Sequence, residues 1–191
     1  TLQRGSKTAS GAHILMPANT ATFSMCMGKI QTHPDTTRLP FSYVIADGMT
    51  TWLVPGCNFA TVGTYRDIMK WPKRDKRPLN GRRSIVNTEW LSPFVVQQVT
   101  EGRNYLRQLE ANDELNDEAN AHVSGEGFTM RCSSALRGIG YYDMAIRMFL
   151  ADAVRKEGEA LPSSSTGTGE WLDLSGMYAP KSEIDQLADD I

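Results

Sequence analysis

The residues of this chain whose types and spacing could do chemistry are mostly basic. Thr64 to Arg83 reads TYRDIMKWPKRDKRPLNGRR, with eight basic residues (Arg66, Lys70, Lys73, Arg74, Lys76, Arg77, Arg82 and Arg83) and two acidic ones (Asp67 and Asp75). That is a local charge of +6 against −2 for the whole chain. Several Lys and Arg on one surface bind a phosphate backbone, because displaced counterions supply much of the free energy. Tyr65 and Trp71 are interleaved where they could stack on bases, and Pro72 and Pro78 stiffen the run. Arg66 stands apart from the dense cluster, inside the helical-looking TYRDIMKW, where a guanidinium could clamp a phosphate with two parallel bonds. A solvated loop or a localisation signal has the same composition, so the run alone does not choose among partners.

Other chemistry is thinly represented. The chain has no HExxH, CxxC, GxSxG or GxGxxG and no phosphate loop of the G-x-x-x-x-G-K-[ST] kind. Cys57, in VPGCNF, is a candidate nucleophile with His33 or His122 as its base; the plainer reading is a half-buried cysteine in a turn. His13, His33, His122 and the three cysteines (Cys26, Cys57, Cys132) lack zinc-ligand spacing, so neither metal nor cofactor is expected. Asp143 and Asp152 are spaced so that they fall on opposite sides of a helix, which rules out a catalytic pair. Gly125/Gly127 and Gly167/Gly169 lie in polar linkers rather than in a phosphate cradle.

The elements that must position these residues show unequal signals. Residues 1–25 are rich in Ser, Thr, Ala and Gly without a clear period, and read as an arm ordered by a neighbour. Between residues 26 and 63, FSYVIA and TWLV lie among Pro34, Pro40, Gly48, Pro55, Gly56 and Gly63, consistent with short strands or with short broken helices. Ser92-Pro93 places a capping hydroxyl before a proline at the first helical position, and Val95, Val99, Leu106 and Leu109 follow on nearly one stripe, predicting a helix from Pro93 to about Glu110. Residues 111–129 are acidic and read as an exposed connection. Tyr142, Ile146, Phe149, Leu150, Ala153 and Val154 fall at helical spacing before Gly158, predicting a helix over Tyr141 to Glu157. PSSSTGTG at 162–169 is a linker, and Ser182 can cap a terminal helix with Ile184, Leu187, Ala188 and Ile191 on one face. No internal repeat is visible.

Composition bounds the rest. A chain of 191 residues with 40% hydrophobic, 22% charged and 8% aromatic residues is a folded protein with a modest core. No apolar run is long enough to cross a bilayer as a helix, so no membrane partner is expected. Three widely spaced cysteines and no N-x-S/T sequon point to a reducing compartment. The first residue is Thr and residues 1–20 lack the apolar core of a signal peptide, as expected of a processed or trimmed amino terminus. Residues 109–126 carry six acids and no Lys or Arg, and residues 157–191 carry eight acids against Lys181 alone, a segregation that speaks to partners.

Several strings share an order with one family. CMGKIQTHP, YVIADG, the VP at 54–55, TYRDIM at 64–69 and DMAIRMFLAD at 143–152 follow each other as corresponding motifs do in the coat proteins of the potyvirus group, which this chain resembles over roughly residues 26–155. The resemblance implies a mostly α fold: an N-terminal arm (1–25), an RNA-binding helical core (26–160), and a linker with a C-terminal helix (161–191). It implies a viral coat or nucleocapsid protein, not an enzyme, that polymerises with copies of itself on single-stranded RNA, in the virion and the host cytoplasm. Its RNA pocket falls on Arg66, on Asp152, and on His33 with the adjacent Thr32, where the family has a small polar residue and this chain has His. Residues 73–83, with Lys73, Arg74, Arg82 and Arg83, would add phosphate contacts or contacts to a neighbouring subunit. The alternatives are a soluble cysteine-dependent enzyme or polyprotein fragment using Cys57, and a non-viral interaction module with a basic docking loop.

Overall fold

The computed structural model describes residues 1–74, 76, 87, 89–116, 118, 120–157 and 169–189. The described residues form ten strands and four α-helices, with 42% helix and 24% strand. This corrects the expectation of a mostly α protein: the fold is mixed α/β.

The amino-terminal third is a coiled ladder of strands rather than an arm. Strands β1 (Lys7–Thr8), β3 (Met25–Met27) and β5 (Tyr43–Asp47) lie parallel and side by side. Lys7 sits beside Met25 and Met25 beside Tyr43, so the chain advances by an equal step each time. A second face pairs β2 (His13–Ile14) with β4 (Lys29–Ile30), and a third carries the parallel bridges Leu2 to Thr20 and Asn19 to Asp35. Three faces wound in parallel make a β-solenoid, in which each coil contacts only its neighbours. Its interior mixes the buried Cys26, Ile30, Leu39 and Val44 with small residues, Ala18, Thr20, Ala21, Thr22, Ser24, Thr36 and Ser42. Their hydroxyls are satisfied within the coil, as where Ser42 Oγ donates to Leu39 O (2.7 Å) and Ser6 Oγ to Ala21 O (3.0 Å).

One corner sets the register of the coils. Gly5, Phe23 and Phe41, separated by that same step, all turn with left-handed backbone (φ 68°, 54° and 54°). The Phe23 and Phe41 rings stack at 5.1 Å with an interplanar angle of 8°. The Phe23 ring fills the space that a side chain at Gly5 would need, so the first coil has glycine at that corner. Asn58 Nδ2 donates to Phe23 O (2.6 Å), satisfying the carbonyl that the turn exposes. Phe41 continues inward against Phe59 and Trp90, linking the corner to the main core.

The sheet then changes direction. β6 (Thr50–Val54) runs antiparallel to β5, and β8 (Phe128–Arg131) with β7 (His122–Gly125) extends the sheet beyond it, so the order is β1-β3-β5-β6-β8-β7. The acidic connection expected at 111–129 therefore contains a hairpin. A short 3-10 turn (Cys57–Phe59) leads into α1 (Val62–Arg74). Helix α2 (Pro93–Ala111) starts where Ser92-Pro93 predicts, with Val95 N donating to Ser92 Oγ at 3.3 Å. Helix α3 spans Cys132–Glu157, beginning well before the predicted start at Tyr141. Gly138 and Gly140 look like helix breakers, yet a Cβ at Gly138 would press on Leu106 of α2 and on Pro55, so glycine there allows close helix packing. Tyr142, fully buried on α3, donates to Pro40 O at 2.8 Å and ties that helix pair to the solenoid. The chain ends in a hairpin, β9 (Trp171–Leu174) and β10 (Met177–Pro180), and α4 (Lys181–Asp189), which starts one residue ahead of the proposed Ser182 cap. The linker at 162–168 and Ile191 lie outside the described residues.

Removing the corner ring should be costly. Phe41→Ala is expected to lower unfolding free energy by about 3–5 kcal/mol, and Gly5→Ala by at least about 1–3 kcal/mol through backbone strain, both read from urea unfolding curves.

Candidate functional site

A cleft of about 780 Å³ opens where the first coil, α1, the start of α2 and the β9–β10 turn meet. Leu2, Phe23, Ile68 and Phe94 give it apolar walls, while Gln3, Arg4, Lys7, Asp67, Asn87 and Asp173 give it polar ones.

Arg4 is its best-fixed charge. Its Nε and Nη2 donate to Asp173 Oδ2 and Oδ1 at 3.0 and 3.1 Å, its Nη1 donates to Asn87 O, and its guanidinium lies 4.4 Å from the Tyr178 ring centroid. The Arg4 side chain is only 9% exposed and that of Asp173 17%. A paired fork of this kind holds both planes rigid. The turn that delivers Asp173 is tight: Ser175 and Gly176, the two residues between β9 and β10, both have positive φ (55° and 112°), the backbone that two-residue hairpins favour. Gly176 N donates to Asp173 Oδ1 (2.7 Å), and Gly176 O accepts from Asn87 N (2.7 Å). Phe94 of α2 stacks on Tyr178 of β10, and Trp171 N donates to Gln97 Oε1 (2.9 Å), so the terminal hairpin is fastened along α2 as well.

Opposite Arg4, Lys7 on β1 pairs with Asp67 on α1. The hydrogen bond from Lys7 holds the Asp67 carboxyl below its ordinary value, with the nearby charges of Lys7 and Arg66 acting in the same direction. A carboxylate lowered in this way stabilises the fold above its unfolded value, and that contribution is lost as pH falls through the lowered one. Both side chains are about one-third exposed, so the pair is worth little in stability. Deeper in, Gln98 of α2 donates to Gln3 Oε1 (2.9 Å) and accepts from Thr22 Oγ1 (2.8 Å). Thr64, which lines the cleft, is 2% exposed, and its Oγ1 is buried without a hydrogen-bond partner. Such an orphan hydroxyl is uncommon and calls for a partner.

The residues chosen from sequence lie elsewhere. Arg66 is an exposed residue of α1 whose Nε meets Asp67 Oδ1 at 3.4 Å, not a buried arginine set against Asp152. Asp152 is held by Arg155 (2.6 Å) and Lys156 (2.9 Å) of its own helix. Thr32 Oγ1 is bonded to Gly127 O (2.5 Å) and Thr51 Oγ1 (2.6 Å), which fastens the turn after β4 to the β7–β8 hairpin. His33, at φ 53°, bonds through Nδ1 to Pro17 O (3.0 Å). Among the described residues no hydrogen bond or ion pair joins Arg66, Asp152, Thr32 and His33 to one another, so the three-part RNA pocket is not assembled. Lys73 and Arg74 are exposed in the last turn of α1; Arg82 and Arg83 lie outside the described residues.

The cysteine alternative fares similarly. Burial pushes the Cys57 thiol up, against a smaller opposing pull from Arg137, which is the reverse of an activated thiolate. His122 bonds to Asn120 O and His33 to Pro17 O. Among the described residues no group of three or more His, Cys, Asp or Glu could hold a metal ion, and no helix is long and apolar enough to cross a membrane.

A family model described as a domain of unknown function (DUF4954) matches residues 1–110, more than half of the chain. The chain belongs to the DUF4954 family. A second model, a domain of unknown function (DUF6819), matches residues 154–191. No curated protein and no solved structure matches. The DUF4954 region holds the solenoid, α1 and most of α2, and the DUF6819 region holds the terminal hairpin and α4. The cleft is built from both, with Arg4 in one region clasping Asp173 in the other.

Reasoning from sequence missed this cleft because Arg4 and Asp173 lie near opposite ends of the chain. One local signal was present: the Ser-Gly at 175–176, between WLDL and MYAP, marks a hairpin turn. Asp173→Ala should leave Arg4 buried and unpaired, costing about 3 kcal/mol. It should also speed amide hydrogen exchange across residues 171–180 more than across the solenoid. Cys57 should label with a thiol probe at pH 7 no faster than an ordinary cysteine, read by peptide mass spectrometry.

Proposed function

We propose that this protein is a binding module whose cleft takes a neutral, ring-bearing small molecule with hydroxyl or amide groups. The observation that carries this reading is the combination of apolar walls with charges that are already matched. Arg4 faces Asp173 and Lys7 faces Asp67, so the charged side chains among the described lining residues are matched in two pairs. A strongly charged ligand would have to break one of those pairs and leave a charge uncompensated. A neutral ring against Phe23 and Phe94 breaks neither. The volume of about 780 Å³ lies within the range of small-molecule sites, and the orphan Thr64 hydroxyl stands ready for one polar group of the ligand, given a small shift that exposes it. Among the described lining residues the carboxylates and cations are already engaged with one another, which supports binding.

The test is a ligand-observed NMR screen with adenosine, 4-nitrophenyl β-glucoside and indole as neutral ring probes, and AMP and citrate as charged ones. A probe of about 15 non-hydrogen atoms gaining about 0.3 kcal/mol per atom binds at roughly millimolar strength. At least one neutral probe should bind, should outcompete its charged counterpart, and should lose affinity at least fivefold in Phe94→Ala while keeping it in Cys57→Ser. Failure of all three neutral probes, or binding indifferent to Phe94→Ala, refutes the assignment.

A further inference from the structure

Two helices of this chain carry uncovered faces, and those faces are opposite in charge. Helix α1 turns Thr64, Asp67 and Ile68 toward the cleft and Val62, Tyr65 and Met69 outward, at 79%, 52% and 45% exposure, with one side of the Tyr65 ring against Trp90 (5.8 Å between centroids). The outward three are spaced by three and four positions, so they form one stripe. Arg66 and Lys73 are exposed beside it. The helix carries Arg66, Lys70, Lys73 and Arg74 against Asp67, a net +3, and Asp67 is already taken by Lys7.

Helix α4 is the complement. It buries no residue, and Leu187, 61% exposed, shares a stripe with Ile184 and Ala188. Glu183, Asp185 and Asp189 stand around that stripe against Lys181 alone, a net −2, and the exposed Lys181–Asp185 pair (2.7 Å) is one that exchanges partners at little cost. So short a helix, its Ile184 half-buried and its Leu187 exposed, would be marginal on its own. Within its own chain α4 is not free to reach α1, because it follows β10 without a linker. β10 in turn is pinned by the stacking of Tyr178 on Phe94 and by the Arg4–Asp173 clasp at the far end of the hairpin.

We infer that α4 of one copy docks on the outward face of α1 of a second copy, stripe against stripe, with Glu183 and Asp185 meeting Arg66 and Lys73. The two surfaces differ, so the contact is heterologous, and each copy keeps one free α1 and one free α4 for further neighbours. Two short helices bury less than a standard interface, so association is weak and concentration-dependent. It is also salt-sensitive, because the flanking charges are exposed. This surface is the side of α1 away from the cleft, so the inference stands apart from the ligand reading.

Sedimentation velocity of the full chain tests it. At 0.05 M salt the weight-average sedimentation coefficient should rise with concentration into the hundreds of micromolar, and the rise should shrink by more than half at 0.5 M salt. Leu187→Asp and the pair Glu183→Lys/Asp185→Lys should each remain monomeric while unfolding thermally like the parent, since all three residues are exposed. Mixing the Glu183→Lys/Asp185→Lys variant with Arg66→Glu/Lys73→Glu should restore association that neither shows alone. A chain that stays monomeric throughout, or that associates equally well with Leu187→Asp, overturns the inference. So does an oligouridylate that binds the α1 face without competing with self-association, which would give that surface to single-stranded RNA.

Discussion

The left-handed corner shared by Gly5, Phe23 and Phe41 is the constraint on which the other features rest. A solenoid has no long-range ladder to hold its register; each coil is positioned only by its neighbour. Here the register is enforced where the chain turns, by one ring stacked on the next and by a glycine where the Phe23 ring leaves no room for a side chain. Two non-glycine residues in left-handed backbone carry a conformational cost, which the burial of two aromatic rings and the Asn58 hydrogen bond offset. Because Gly5 is fixed, its neighbours Arg4 and Lys7 emerge at set positions. The cleft is thus an outcome of the corner.

The clasp between Arg4 and Asp173 follows different physics. Burying a guanidinium is unfavourable unless its donors are matched, and a buried pair gains little over an apolar substitute. Its value here is geometric. Bidentate pairing to Asp173, a bond to the Asn87 carbonyl and the Tyr178 ring beneath it leave the guanidinium one orientation. The hairpin is thereby fixed against a coil from the other end of the chain. Lys7 and Asp67, each about a third exposed, have no such rigidity. The two ion pairs of the cleft divide the work: one locates an element, and the other balances charge at the rim.

What could be read from the sequence depended on whether the deciding contacts were local. The start of α2 was legible because Ser92 and Pro93 act on their own backbone, and TYRDIMKW was legible as a helix. Helix α3 was legible only after Tyr141, because Gly138 serves a neighbour rather than its own helix. The solenoid was hidden for two reasons. Many of its interior positions are Thr, Ser and Ala, which blur the apolar period, and its spacing is uneven. Leu2 meets Thr20 and Lys7 meets Met25 across one span of chain, but His13 meets Lys29 and Asn19 meets Asp35 across a shorter one. Corners of unequal length erase a fixed repeat while leaving the parallel pairing intact. The basic run attracted attention through charge, a surface property that says little about which groups converge.

The cleft joins two regions that match separate family models, and this has a thermodynamic consequence. A local element opens with a free energy set by its own contacts rather than by the whole core. Among the contacts that hold the terminal hairpin are a clasp, a ring stack and hydrogen bonds at Trp171, Asn87, Gly176 and Tyr178. A molecule seated between Phe23 and the Ser175–Gly176 turn touches both sides of that junction. By mass action it would stabilise the closed arrangement by RT ln(1 + [L]/Kd), about 2.7 kcal/mol at a hundredfold excess over Kd. Since α4 continues directly from β10, the same closure sets the direction in which α4 is presented. The cleft and the acidic helix thus share one short hairpin as their common support.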